Sequence, residues 1–233
     1  MNLFSSSPPK ATYTLRVLAH VLRYPDAALR AHVPEMQQAL KSEAALAPMR
    51  LAELGALLRH LERSPALDVE SEYVELFDRG RRTALHLFEH VHGDSRERGP
   101  AMIDLIQTYE KGGLYLGPEE LPDHLPVLLE FASTQPPAQA REFLGEIAHI
   151  ARNIFSALTA RNSPYASVLA AVLELAGERA EAVAVAPEPE MDESWAEPEV
   201  FGGCSTEGQA KPGQPQAIQI VRKSPPTSQG AQA

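Results

Sequence analysis

The sequence predicts an all-α protein: a single-domain helical bundle of roughly eight to ten helices with a disordered, acidic, proline-rich C-terminal tail. Three observations carry that expectation. Apolar residues recur three and four positions apart in segment after segment, the spacing that lines one helical face, and no run alternates apolar and polar as a half-buried strand does. A chain of 233 residues, 44% of them hydrophobic, is long enough to bury a sizeable core. From about Ala186 the composition shifts to Pro and Glu, then to Gly, Ser, Gln and Lys, with too little apolar surface to offset the entropy of ordering. The expected organisation is a flexible N-terminus over residues 1–10, a helical domain over 11–178 and a disordered tail over 179–233. Within the tail, residues 195–204, from WAEPEVF to Cys204, form a candidate docking segment.

Each helix is read from its stripe and its punctuation. Leu15, Leu18 and Leu22 form the first, stopped near Tyr24 because Pro25 disfavours helical geometry in the residue before it. Leu29, Val33, Met36 and Leu40 form the second region, with a break or restart at Pro34. Leu51, Leu54, Leu58 and Leu61 give a third, and Val69, Tyr73, Leu76 and Phe77 a fourth. A polar loop, DRGRRT, leads into the apolar run Leu85 to Val91; Gly93 suits a helix end, and Asp94 or Ser95 can cap the next helix. Met102, Leu105, Ile106 and Tyr109 carry that helix to the stop at Gly112 and Gly113. Leu121, Leu125, Leu128 and Ala132 mark another, and Phe143, Ile147, Ile150, Ile154 and Leu158 the longest. The last opens at Ser163, with Pro164 in the first helical position, and closes at Gly177.

Charge narrows the partners. With 31 acidic against 21 basic side chains the formal charge is -10, which repels phosphate backbones and anionic lipid and attracts basic peptides. Nucleic acid is not an expected partner. The single cysteine, Cys204, excludes an intramolecular disulfide and a multi-thiolate metal site within one chain. MNLFSSSPPK lacks the apolar core of a secretory signal, and no stretch approaches the ~18 apolar residues of a membrane span. The expected location is the cytoplasm, without direct membrane insertion.

The polar functional groups concentrate between Leu85 and Arg98, LHLFEHVHGDSRER: His86, Glu89, His90, His92, Asp94, Arg96 and Arg98. One reading is catalytic. Residues 86–90, HLFEH, fit H-x-x-E-H, which on a helix sets two imidazoles one turn apart for zinc with the glutamate as general base of a hydrolase. That chemistry needs a third ligand and an open cleft, yet no downstream carboxylate stands out, and Leu85, Leu87, Phe88 and Val91 leave little room for water. The simpler reading makes His86 and His90 a half-buried pair satisfied by carboxylates or backbone carbonyls. Arg79, Arg81 and Arg82 could hold an anion, but a solvated loop accounts for them as well. Neither a G-x-S-x-G elbow nor a glycine-rich phosphate loop occurs. No catalytic residue, metal or cofactor is assigned, which leaves a binding surface, and a generic helical adaptor for another client stays open as a further reading.

The segment Tyr73 to Leu114, YVELFDRGRRTALHLFEHVHGDSRERGPAMIDLIQTYEKGGL, resembles the signature of the nitrate reductase delta subunit family, the NarJ-type molybdoenzyme assembly chaperones, a TorD-like group of redox enzyme maturation proteins. LRYPD at Leu22 to Asp26, LPDHLPVLLEF at Leu121 to Phe131 and the late WAEPEVF followed by Cys204 extend the likeness. Pro100 departs from the glutamine expected there, Thr83 and Ala84 from a serine-bearing segment, and the tail past Gly208 is longer and more prolyl. The resemblance implies an all-α, non-catalytic cytoplasmic chaperone. It would bind the apo catalytic (alpha) subunit of respiratory nitrate reductase, chiefly by its N-terminal peptide, and keep it competent for molybdenum cofactor insertion before membrane docking. Molybdenum cofactor delivery proteins are a second candidate partner. On this reading Tyr73, Phe77, Leu85 and Phe88 line or support an apolar groove for an amphipathic peptide. Glu89, Asp94 and Asp123 supply negative charge, with His86, His90, His92 and His124 at the same places; an imidazole side chain ordinarily titrates near neutrality, which would make affinity for a cationic peptide depend on pH. Arg96 and Arg98 pin the loop.

Overall fold

Ten α-helices form within residues 8–92 and 95–183, the residues described in this computed structural model. The rest, including Asp94 and the candidate docking segment 195–204, lies outside them. Helix α1 (Thr12–Val21) buries Leu15, Leu18 and Val21 and ends before Pro25. Asp26 caps α2 (Ala27–Ala31) by accepting the Leu29 N–H at 2.8 Å. Then α3 (Val33–Glu43) restarts with Pro34 in its first turn, where a missing amide hydrogen is harmless. Helix α4 (Pro48–Arg63) buries Leu54, Leu57, Leu58 and Leu61. Helix α5 (Ala66–Tyr73) widens into a π-helical turn over Val74–Asp78, closed by Arg79 N–H bonding the Val74 carbonyl at 3.1 Å.

The short α6 (Leu87–Val91) and α7 (Arg98–Lys111) follow, then α8 (Leu125–Thr134), α9 (Pro137–Ala160) and α10 (Ala166–Ala176). Every residue of α10 from Ser167 to Leu173 is buried, and a helix covered on all sides belongs at the centre. It packs most extensively on α9 and also meets α4 and α1; α1 in turn lies along α8 and α3. Helices α7, α9 and α10 end in the same way, with Gly113, Asn162 and Gly177 in the left-handed region, so that the next N–H reaches back to the carbonyls of Tyr109, Leu158 and Leu173.

Three expectations change. Leu121 is not part of α8: it is half exposed, and the helix starts at Leu125 with Pro126 in its first turn. The last helix starts at Ala166 rather than Pro164, because the left-handed Asn162 and a turn through Ser163 reverse the chain first. On α7 the stripe Met102, Leu105 and Ile106 is only half covered, and Tyr109 alone is fully buried.

Candidate functional site

Two short extended stretches, one before α6 and one before α8, pair with each other. Leu87 donates to the Asp123 carbonyl and Leu125 to the Leu85 carbonyl, both at 2.9 Å, giving an antiparallel bridge between His86 and His124. The two imidazoles stack with centroids 4.9 Å apart. The Tyr109 hydroxyl, donating to the Pro122 carbonyl at 2.7 Å, ties α7 to the same stretch.

The bridge buries Asp123 completely. A buried carboxylate requires compensation, and Asp123 gets it from three directions. Its Oδ2 accepts the Phe88 N–H at 3.2 Å and lies 3.7 Å from the Arg98 guanidinium; its Oδ1 faces His86 Nδ1 at 3.5 Å. Neither Oδ1 nor that ring nitrogen has a hydrogen-bond partner, and the two face each other as an ion pair. Burial alone would raise the Asp123 carboxyl, but His86, the Phe88 N–H and Arg98 together hold it below the usual range. The Asp123 contact raises His86, outweighing burial. Burial, reinforced by the charge on His86, lowers His124 to about 4. Two stacked imidazoles are thus driven apart, one toward the charged form and one toward the neutral.

The H-x-x-E-H string does not lie on one helix. His86 precedes α6 in extended backbone, whereas His90 lies within α6 and turns its Nε2 to the Ala84 carbonyl at 2.8 Å. The zinc-hydrolase reading assumed one shared helical face and loses that basis. Among the described residues no group of three or more His, Cys, Asp or Glu is placed to hold a metal.

The remaining sequence-predicted residues divide. Phe88 is half-buried with His92 edge-on at 5.3 Å, Glu89 and Arg96 are exposed, and Arg98 reaches toward both Glu89 (4.0 Å) and Asp123. Leu85 is buried next to the bridge. Tyr73 and Phe77 lie in a separate buried aromatic cluster with Tyr165, where the Tyr73 hydroxyl donates to the Leu22 carbonyl at 2.8 Å. Sequence reasoning missed Arg23, which pairs with Glu130 at 2.8 Å and Glu120 at 3.7 Å, linking the LRYPD stretch to both flanks of LPDHL. It also missed the anchoring role of Tyr109. The available signal was that Arg23, Glu120 and Glu130 fall within or beside the short stretches that carry the family resemblance.

The model of the nitrate reductase delta subunit family matches residues 24–171, which include the bridge, Arg98 and Tyr109. The chain belongs to that family. Among delta subunit relatives, it is 46% identical over 162 residues to the nitrate reductase molybdenum cofactor assembly chaperone NarJ of Escherichia coli (strain K12), covering 70% of this chain and 69% of that one. It is 41% identical over 163 residues to NarW of the same strain, named as a chaperone of the same kind, covering 70% and 68%. A solved structure from Archaeoglobus fulgidus, described as a redox enzyme maturation protein, superposes with a TM-score of 0.51 over 76% of this chain and 99% of that chain. At 20% identity that likeness establishes the fold. These delta subunit relatives are named as assembly chaperones, not as enzymes.

Proposed function

We propose that this protein is an assembly chaperone for nitrate reductase, working in the cytoplasm. It binds the apo catalytic subunit, chiefly through that subunit's N-terminal segment, and keeps it competent for molybdenum cofactor insertion and membrane docking, with cofactor delivery proteins as further partners. The observation that supports this reading is the family match across residues 24–171, combined with relatives named for that task. No helix among the described residues is long and apolar enough to cross a membrane.

On this reading Phe88, Glu89, His92 and Arg96, which have exposed surface, meet the client, and the buried Leu85 and Asp123 support them from within; Tyr73 and Phe77, in the separate aromatic cluster, serve the core instead. His86, His90 and His124 are partly covered and belong to both groups, and Arg98 joins them. Residues 86–124 carry eight carboxylates against three basic side chains, a field suited to a basic amphipathic segment. A peptide copying the N-terminus of the catalytic subunit from the same genome is expected to bind in calorimetry, and Phe88→Ala to weaken it about tenfold. An intact chain that does not bind this peptide overturns the reading.

A further inference from the structure

We propose that Arg98 is a latch: its guanidinium stands in for a cation of the client, facing Glu89 until a basic client segment takes that place and frees the first turns of α7. This rests on the reading of the chain as a chaperone for a basic segment, and it adds how the site is kept closed.

Arg98 is loosely engaged. It stands 4.0 Å from Glu89 and 3.7 Å from Asp123, beyond the usual reach of a charge-assisted hydrogen bond, while Arg23 and Arg152 close on Glu130 and Glu178 at 2.8 Å. It is also accessible, since the Arg98 and Glu89 side chains are 31% and 44% exposed. Its place on the helix is unfavourable as well. Arg98 is the first residue of α7, where the positive end of the helix dipole repels a cation; the N-cap Glu97 is the acidic residue at that end, and its side chain makes no capping hydrogen bond. Without Arg98, Asp123 keeps His86 and the Phe88 N–H, so the bridge survives its departure.

What Arg98 holds down is weakly held otherwise. The buried anchor of α7, Tyr109, is near the far end; closer to Arg98, Met102, Leu105 and Ile106 are half covered and Ile103 is 57% exposed. A client cation pairing with Glu89 competes with Arg98 for its exposed partner. Once α7 is released, the half-covered stripe faces the apolar side of the client. A site closed part of the time binds more weakly in proportion to the closed fraction, so removing the latch strengthens binding.

The test uses the full chain, with hydrogen exchange on α7 and calorimetry with the catalytic-subunit peptide. Arg98→Met keeps the aliphatic stem and removes the charge. Amides of Ala101 to Leu105 are expected to exchange at least about fivefold faster without peptide, and peptide affinity to rise about fivefold, the low end of ordinary coupling between sites. Adding Glu89→Gln to Arg98→Met is expected to abolish the gain in affinity. Weaker peptide binding by Arg98→Met, or unchanged α7 exchange, overturns the latch. If the peptide binds neither parent nor variant, the client reading fails while exchange still decides the latch: faster supports it, unchanged overturns it. Should circular dichroism show Arg98→Met unfolded, Arg98→Gln carries the same exchange test, because it removes the charge facing both Glu89 and Asp123 and keeps a polar group beside the buried carboxylate.

Discussion

The rings of His86 and His124 stack 4.9 Å apart, yet one is held above the ordinary imidazole pKa by Asp123 and the other is pushed down to about 4 by burial. The pair therefore contributes to stability with opposite pH dependence. His124 stays neutral in the fold, so below its unfolded value of about 6.5 the unfolded chain binds a proton that the folded chain does not. Stability is lost as pH falls from there to about 4, by an amount on the order of 3 kcal/mol. The contribution of His86, whose folded pKa is raised, is fully present below about 6.5 and is lost as pH rises through that raised value. Urea titrations across this range should show His124→Gln losing less stability toward acid than the parent, and His86→Gln losing more. Parallel curves for all three proteins would contradict the opposed shifts.

Asp123→Asn should destabilise by about 1–3 kcal/mol, because Arg98 and His86, each about a third exposed, lose the fully buried charge they face. The Phe88 N–H keeps an acceptor in the amide oxygen. An NMR titration should show His86 moving back toward the ordinary imidazole range. An unchanged His86 would mean that Asp123 is not its partner.

Tyr109→Phe isolates one hydrogen bond. The ring remains packed against Phe131 at 4.9 Å, while the buried Pro122 carbonyl loses its donor, at a cost of about 1–2 kcal/mol. Chemical denaturation reads the loss, and faster hydrogen exchange at the end of α7 should accompany it.

A distant carboxylate performs the task of a helix cap at α1. Glu43, at the end of α3, accepts the N–H groups of Tyr13 and Thr14 at 3.1 and 2.6 Å. Glu43→Ala should cost about 1 kcal/mol; Glu43→Gln, which keeps one acceptor oxygen and turns an NH2 donor toward the other N–H, should recover only part of that. A Glu43→Ala variant as stable as the parent in chemical denaturation would contradict the capping role.

Much of the fold was readable because helix stripes and stops are local. Leu54, Leu58 and Leu61 are buried as their spacing implies, and the stop near Gly113 and the one at Gly177 fall on residues able to adopt left-handed backbone. The bridge was not readable for the opposite reason. Leu121, Leu125 and Leu128 have helical spacing, but the backbone of His124 is set extended by pairing with a stretch far back in the chain. Phe88 and Asp123 are 35 residues apart. The same remoteness hid the burial of Asp123, since an aspartate beside a proline and a histidine reads as a polar turn until its cationic partners are known. The H-x-x-E-H string also put His86 on the helix that begins one residue later.

The packing of α1 along α8 has a consequence during synthesis. Roughly 110 residues separate the end of α1 from the end of α8, so at ~5–20 residues per second the ribosome takes on the order of 5–20 s to supply the surface that covers Leu15 and Leu18. Until α8 emerges, the face of α1 that it covers stays exposed on the growing chain, with α3 the earlier of the two neighbours to arrive.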